Sequence, residues 1–78
     1  MVKADKTLDA RGLACPKPVL ESRKAIKSLK INQVLEIITS DPGSVSDIPT
    51  WARVSGQELL SSEERGPREF SFLVKRLK

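Results

Sequence analysis

The segment Val34–Thr39 is apolar on both sides of an alternating strand pattern, with Glu36 as the exception. A strand with this pattern lies inside a sheet and pairs along both of its edges. The chain has 78 residues, which is enough for about one small domain. We therefore predict a single domain over residues 1–78, built around a sheet in which Val34–Thr39 is a central strand.

A proline-rich start and one apolar stripe predict the first helix, at about Pro16–Leu29. Proline is tolerated in a first turn because the N–H that it lacks would have no partner there. The stripe expected to be buried consists of Val19, Ser22, Ala25, Ile26 and Leu29. The face expected to be solvated carries Lys17, Glu21, Lys24 and Lys27.

Turn residues at 40–43 separate the central strand from a second predicted helix, Ser44–Ser55. Asp47 is a plausible N-cap, which would place Pro49 in the first turn, because proline is not tolerated deep inside a helix. Gly56 should end this helix. The apolar set expected on it consists of Val45, Ile48, Trp51, Ala52 and Val54, and the tryptophan is expected in the core.

A hairpin is predicted at the end of the chain, where Gln57–Glu64 and Glu69–Lys75 flank turn residues 65–68. A short first strand is expected near Ala4–Asp9. The order is then βαβαββ. It predicts an α/β (α+β) fold, a two-layer βαβαββ sandwich with two helices on one face of a mixed four-stranded sheet.

One cysteine and no histidine exclude several classes of protein. An internal disulfide is impossible, which excludes a disulfide-stapled secreted mini-protein and fits a reducing compartment. Cys–His and Ser–His–Asp catalysis cannot operate within the chain. We expect no metal site and no organic cofactor. Because there is neither a transmembrane run nor a signal peptide, we expect a cytoplasmic location without membrane contact.

Charge is unevenly distributed along the chain. Residues 1–30, 31–69 and 70–78 carry net charges of +5, −4 and +3, which gives +4 for the whole chain. This mild excess would suit an acidic protein partner or nucleic acid.

Cys15 is the candidate reactive residue, because it directly precedes the first predicted helix. The N–H groups and dipole of a helix start favour thiolate over thiol, and Arg11 and Lys17 add positive charge nearby. Pro16 and Pro18 remove donors and stiffen the turn, which leaves a moderately stabilised thiolate that is still nucleophilic. Thiolate chemistry without a base favours sulfur exchange over hydrolysis. The alternative interpretation is a small buried core residue.

The residues before Cys15 are expected to shape its loop. Asp9 can bond the backbone of residues 11–14 or pair with Arg11, and Arg11 can hold the loop or contact a partner. Gly12 supplies backbone freedom. The alternative for the two charged residues is a solvated surface position.

The ten residues Asp9–Pro18, with the sequence Asp-Ala-Arg-Gly-Leu-Ala-Cys-Pro-Lys-Pro, resemble the signature of the TusA-like (SirA-type) sulfur-carrier family. Members of this family carry Cys-Pro-x-Pro at the start of their first helix. Segments 40–42 (Ser-Asp-Pro) and 47–49 (Asp-Ile-Pro) resemble the second recurring segment of the family. The resemblance covers essentially the whole chain and implies the βαβαββ fold.

The resemblance implies that Cys15 accepts sulfane sulfur as a persulfide and relays it to an acceptor protein. Implied donors are cysteine desulfurases or rhodanese-type enzymes, and the implied pathways are tRNA thiolation, cofactor biosynthesis or sulfur oxidation. This is carrier chemistry rather than that of a stand-alone enzyme. Some members carry a second cysteine near Ala52, which this chain lacks.

Two alternatives remain open from the sequence. A thiol-based redox regulator would use the same thiolate as a sulfenate or mixed disulfide. A small nucleic-acid-binding module is suggested by the basic first helix. Direct nucleic-acid binding is nevertheless not expected, because residues 31–69 are net negative and the chain has no glycine-rich phosphate loop.

Overall fold

The computed structural model describes residues 3–14 and 17–78, and its elements follow the predicted βαβαββ order. They are β1 (Lys6–Ala10), α1 (Lys17–Lys27), β2 (Val34–Thr39), α2 (Ser44–Ser55), β3 (Glu58–Gly66) and β4 (Glu69–Lys75). The strands lie in the order β1-β2-β4-β3, with β1 and β2 parallel and the other neighbours antiparallel. The sheet is therefore mixed, and β2 has a neighbour on each edge, which confirms the prediction from its apolar run.

The core lies between the sheet and the two helices. Leu35 and Ile37 of β2 are fully buried, and Ile37 lies opposite the equally buried Phe72 of β4. Ile48 and Trp51 of α2 join the same apolar cluster. The burial of apolar side chains is the main favourable contribution to folding, so this cluster fixes both helices on one face of the sheet.

β1 begins two residues later than predicted. The Asp5 side chain accounts for this later start, because its carboxylate accepts the Val34 N–H at 2.8 Å in place of a backbone carbonyl. The regular ladder between β1 and β2 starts only at Lys6.

α1 ends at Lys27 rather than Leu29, because the Leu29 N–H bonds to the carbonyl of Ile26 at 3.1 Å and so closes a tighter turn. Its buried stripe also differs by one residue from the prediction. Pro18 is buried, whereas Val19 is only half-buried at the edge of the core. The predicted N-terminal residue, Pro16, lies outside the described residues.

The start of α2 corrects the predicted N-cap. α2 begins at Ser44 with Gly43 as its N-cap, so Asp47 lies inside the helix. The bounds Ser44–Ser55 agree with the predicted helix, and only the N-cap differs. The buried Ser44 hydroxyl bonds to the Asp41 carbonyl oxygen at 2.6 Å and to the Thr39 hydroxyl, which holds the helix start against the end of β2.

Pro49 is consequently the sixth residue of α2 instead of lying in the first turn. It deprives the carbonyl of Val45 of its usual N–H partner, but Val45 is exposed and water can bond that carbonyl. Val54 is also exposed. The two valines of the predicted apolar set therefore do not belong to the core. Gly56 ends the helix in a left-handed conformation with φ 80°, as predicted.

The hairpin turn is shorter than predicted. β3 continues to Gly66, which pairs with Glu69, so only Pro67 and Arg68 form the turn. Arg68 adopts a positive φ of 59° after Pro67, the pattern of a type II turn, in which proline is common at the second position and φ is positive at the third. No helix in the described parts of the chain has the length and apolar character needed to cross a bilayer.

Candidate functional site

The candidate site is the connection between β1 and α1. Cys15 and Pro16 lie outside the described residues, but the residues on both sides of them are placed. The Lys17 N–H donates to the Ala14 carbonyl oxygen at 2.9 Å. This bond fixes the two flanking residues relative to each other, at the beginning of α1.

Asp9 and Arg11 form a bidentate ion pair at the base of this loop. The Arg11 Nε and Nη2 atoms each lie 2.9 Å from a different carboxylate oxygen of Asp9, and the Arg11 backbone N–H donates to the same carboxylate at 3.1 Å. Asp9 therefore makes both of the contacts that its position suggests. A second carboxylate, that of Glu69 in β4, lies 3.6 Å from Arg11 Nη1.

The charge of Arg11 is thus largely balanced by two carboxylates. The Arg11 side chain bonds to Asp9 within the loop and to Glu69 of β4, and these two carboxylates reduce the electrostatic effect of its charge on neighbouring groups. Sequence reasoning did not identify Glu69, which lies 58 positions from Arg11. Only the order of the strands brings them together.

The ion pair changes the protonation equilibria of both groups. The side-chain hydrogen bond from Arg11, followed by the backbone hydrogen bond, lowers the pKa of Asp9 to about 2. The hydrogen bond to Asp9 in turn raises the pKa of Arg11. Both groups are therefore charged across the physiological range.

We expect an NMR titration of Asp9 to show a midpoint of about 2, and the Arg11→Gln variant to shift it back toward 3.8. Because the folded-state pKa is depressed, the pair stabilises the loop above the ordinary pKa and loses this effect as the pH falls toward 2. Between pH 5 and 8 its contribution is constant. Lys3→Gln is a control that should leave the midpoint unchanged. A midpoint near 3.8 in the parent protein would contradict the bidentate pair.

Gly12 turns the loop toward the end of β2. Its φ of +83° lies in the left-handed region, so glycine is needed here for its conformation. Its N–H donates to the Ser40 Oγ at 2.8 Å, and the Leu13 N–H donates to the Ala10 carbonyl at 3.3 Å. Ser40 therefore anchors the loop.

The sequence assigned Ser40 to a turn and to a segment that resembles the family, but not to the loop after β1. The signal that could have identified its role is the parallel pairing of β1 with β2, which brings the residues after both strands to the same edge of the sheet.

We expect Ser40→Ala to accelerate hydrogen exchange of the Gly12 amide and to lower the free energy of unfolding by about 0.5–1.5 kcal/mol, the net value of one hydrogen bond. The matched control is Ser46→Ala, because the Ser46 hydroxyl is exposed and makes only a long bond of 3.4 Å to the Gly43 carbonyl. Equal exchange rates for Gly12 in the parent and in Ser40→Ala would show that the bond does not hold the loop.

The described beginning of α1 favours negative charge nearby. Its first turn carries no acidic residue, and the start of a helix bears partial positive charge. Lys17, its first residue, is exposed, whereas Pro18 is buried.

A shallow cavity of about 300 Å³ lies next to this helix start. Its lining combines the apolar Leu13 and Leu20 with Lys17, Glu21 and Lys24. Leu20 is 45% exposed. The Lys24 Nζ lies 3.4 Å from the Glu21 Oε2. This mixture of apolar and charged groups, close in sequence to Cys15, is suited to contact with another protein.

The described residues contain no group of three or more histidine, cysteine or acidic side chains that could hold a metal ion. The described part of the loop is a backbone turn held by hydrogen bonds and an ion pair, and it directly precedes in sequence the one cysteine of the chain.

The fold and this loop define a class of small two-layer βαβαββ proteins in which a cysteine precedes the first helix. Comparison with known proteins specifies the class further. The family model described as Sulfurtransferase TusA matches residues 6–76. The sulfur carrier protein TusA of Allochromatium vinosum is 43% identical over 76 residues, which is 97% of this chain and 99% of that protein. The chain belongs to the TusA family.

Two further comparisons agree with this assignment. The Bacillus subtilis protein YrkF is 45% identical over 75 residues, or 96% of this chain, but the chain spans only 40% of YrkF. The crystal structure of a SirA-like protein from Desulfitobacterium hafniense superposes with a TM-score of 0.81 at 22% identity, covering 94% of this chain and 99% of the other. The latter shows the shared fold. As a member of the family, the protein is a sulfur carrier that acts between a sulfur donor and a sulfur acceptor.

Proposed function

We propose that Cys15 is the residue that carries the sulfur, and that residues 1–78 act as one carrier domain. The observation that supports this most strongly is position: the only thiol of the sequence falls between Ala14 and Lys17, at the beginning of α1. The loop before it is held by Asp9, Arg11 and Ser40 through bonds to its backbone and side chains.

The proposed transfer consists of two thiol exchanges. The Cys15 thiolate attacks the outer sulfur of a donor persulfide, a new S–S bond forms, and the donor leaves as a thiolate. An acceptor thiolate then attacks the outer sulfur on Cys15, which leaves as a thiolate in its turn. The sulfane sulfur is transferred from donor to acceptor without net oxidation or reduction, and neither step needs a metal or an organic cofactor.

The absence of a second cysteine determines how the sulfur leaves. The chain has one thiol in 78 residues, so no second thiol within it can attack the Cys15 persulfide and form an intramolecular disulfide. Release from Cys15 must therefore be intermolecular. We propose a cysteine desulfurase or rhodanese-type protein as donor, and a cysteine-containing relay protein as acceptor, in tRNA thiolation, cofactor biosynthesis or sulfur oxidation. A reducing, cytoplasmic setting suits these exchanges.

Intact mass spectrometry of the protein purified from its native cells tests this proposal. We expect part of the population to be heavier by one sulfur atom, with the addition mapped to Cys15 and removed by a thiol reductant. The competing redox-regulator function predicts an addition of one oxygen instead. Oxygen without sulfur, in cells with active sulfur metabolism, would overturn the proposal.

We expect the Cys15 thiol to have an apparent pKa below the ordinary ~8.5, because the start of α1 and Lys17 favour its charged form. Alkylation rates measured against pH should show this midpoint. Lys17→Gln should raise it, whereas Arg11→Gln should change it less, because Arg11 is paired with Asp9 and Glu69. Lys30→Gln is the control for net charge. A midpoint at or above ~8.5 in the parent would contradict the electrostatic account.

A further inference from the structure

A second cavity lies at the end of the helix pair opposite to the Cys15 loop. α1 spans about 15 Å from Lys17 to Lys27, and this cavity of about 190 Å³ lies at its far end. Its floor includes the buried Trp51 and Ile26, and four basic side chains line it: Arg23, Lys27, Arg76 and Lys78. None of its lining residues is acidic.

The segment after β4 that supplies two of these cations is held in place. The Arg76 guanidinium donates to the carbonyl oxygens of Lys27, at 3.2 Å, and of Leu29. The Leu77 N–H donates to the Gln57 Oε1 at 2.7 Å. The Lys78 side chain passes directly over Gly56, where an added Cβ would lie 2.8 Å from it. The cavity is therefore built by ordered contacts and not by a loose tail.

Among the described residues the cations of this cavity have no carboxylate partner, as is also true of exposed residues elsewhere such as Lys30 and Arg53; what distinguishes the four is that they line one cavity. Arg11, Lys24 and Arg65 each have a carboxylate partner. Within residues 3–14 and 17–78, by contrast, the side chains of Arg23, Lys27 and Lys78 make neither an ion pair nor a hydrogen bond. The partial negative charge at the end of α1 accounts for Arg76, which bonds those carbonyls directly, and for Lys27, which lies in the last turn of the helix. It does not explain Arg23, which lies in the middle of α1.

We propose that this cavity binds the phosphate group of a small phosphorylated molecule. Four like charges in one cavity repel one another, and a bound anion relieves the repulsion. A carboxylate brings one charge, whereas a terminal phosphate brings about two and offers several acceptor oxygens that match guanidinium forks. The site is separate from the proposed persulfide residue and does not depend on it.

Titration with inorganic pyrophosphate, followed by amide NMR, tests the proposal. We expect saturable shifts at residues 23–27, 55–57 and 76–78 that weaken with added salt. Lys27→Gln/Lys78→Gln should weaken binding by about tenfold or more, the value expected from lost charged hydrogen bonds. Lys17→Gln/Lys30→Gln removes the same charge outside the cavity and should weaken binding far less. Arg76 is left unchanged because it also caps α1.

Four outcomes of this titration support or overturn the proposed phosphate site. Loss of pyrophosphate affinity confined to the cavity variant supports the site. Equal loss in both double variants, or no saturable binding by the parent, overturns it, because net charge alone would then account for the effect. A short RNA duplex is the comparison ligand: if RNA displaces pyrophosphate and loses affinity with the cavity variant only, the phosphate source is a nucleic-acid backbone, and the proposal of a small phosphorylated molecule is wrong.

Discussion

Replacing Cys15 with serine is expected to abolish sulfur loading while leaving the fold intact. A serine hydroxyl is not ionised at neutral pH and cannot form a persulfide, and no other thiol exists in the chain to take its place. The loop contacts of Asp9, Arg11 and Ser40 involve other atoms and should persist. Incubation with a protein persulfide donor, followed by intact mass spectrometry and thermal unfolding, measures both expectations.

A relocated thiol is the matched control for this variant. Cys15→Ser/Ser62→Cys keeps the number of thiols but puts the cysteine on the exposed edge strand β3, away from any helix start. We expect it to load much more slowly than the parent. If Cys15→Ser still takes up one sulfur, the assignment of the carrier residue fails. If this variant unfolds, Cys15 is a core residue.

Reversal of the basic face beside Cys15 is expected to slow loading from a protein donor by about tenfold or more at low salt. Lys17 and Lys24 line the cavity next to the loop, and complementary charges act mainly through the association rate. Lys17→Glu/Lys24→Glu would repel an acidic donor surface. Loading from a small neutral persulfide should change much less, because only the part of the thiolate stabilisation that Lys17 supplies would be lost.

The control for this prediction is Lys3→Glu/Lys30→Glu, which makes the same change in net charge at exposed positions outside the cavity. Stopped-flow loading at several salt concentrations compares the two variants. If both load at the rate of the parent, the lysines are only a soluble surface and the donor docks elsewhere. If both are slowed equally, the effect is one of net charge and not of a docking face.

The sheet and helices could be predicted because their signals are local and strong. The run Val34–Thr39 is apolar on both faces apart from Glu36, which predicts a central strand, and the structure pairs it on both edges. The spacing of Ser22, Ala25 and Ile26 places one face of α1 in the core, as found. Both patterns depend on which side chains are buried, so the folded protein reproduces them.

The bounds of α2, Ser44–Ser55, agree with the prediction, but its N-cap does not. Asp47 before Pro49 is a strong local start signal, yet the helix begins after Gly43, and the buried Ser44 hydroxyl bonds to Thr39 and Asp41. The start of β1 depends instead on a distant contact, because the Asp5 carboxylate accepts the Val34 N–H.

The contacts around the site likewise include local ones, which the sequence can predict, and distant ones, which it cannot. The Asp9–Arg11 pair is local and could be anticipated, whereas the contacts of Glu69 and Ser40 with the loop depend on strand order. The basic cavity joins Lys27 to Arg76, 49 positions apart, and could not be inferred from either segment alone.

The most direct test of the central claim follows labelled sulfur through the protein. A cysteine desulfurase is supplied with isotopically labelled cysteine, the chain is loaded and separated from the donor, and a synthetic cysteine-containing peptide is added as acceptor. We predict that one labelled sulfur appears on Cys15 and then moves to the peptide, while the chain returns to its original mass. Label that never reaches Cys15, or that stays there when the peptide is added, would contradict the account.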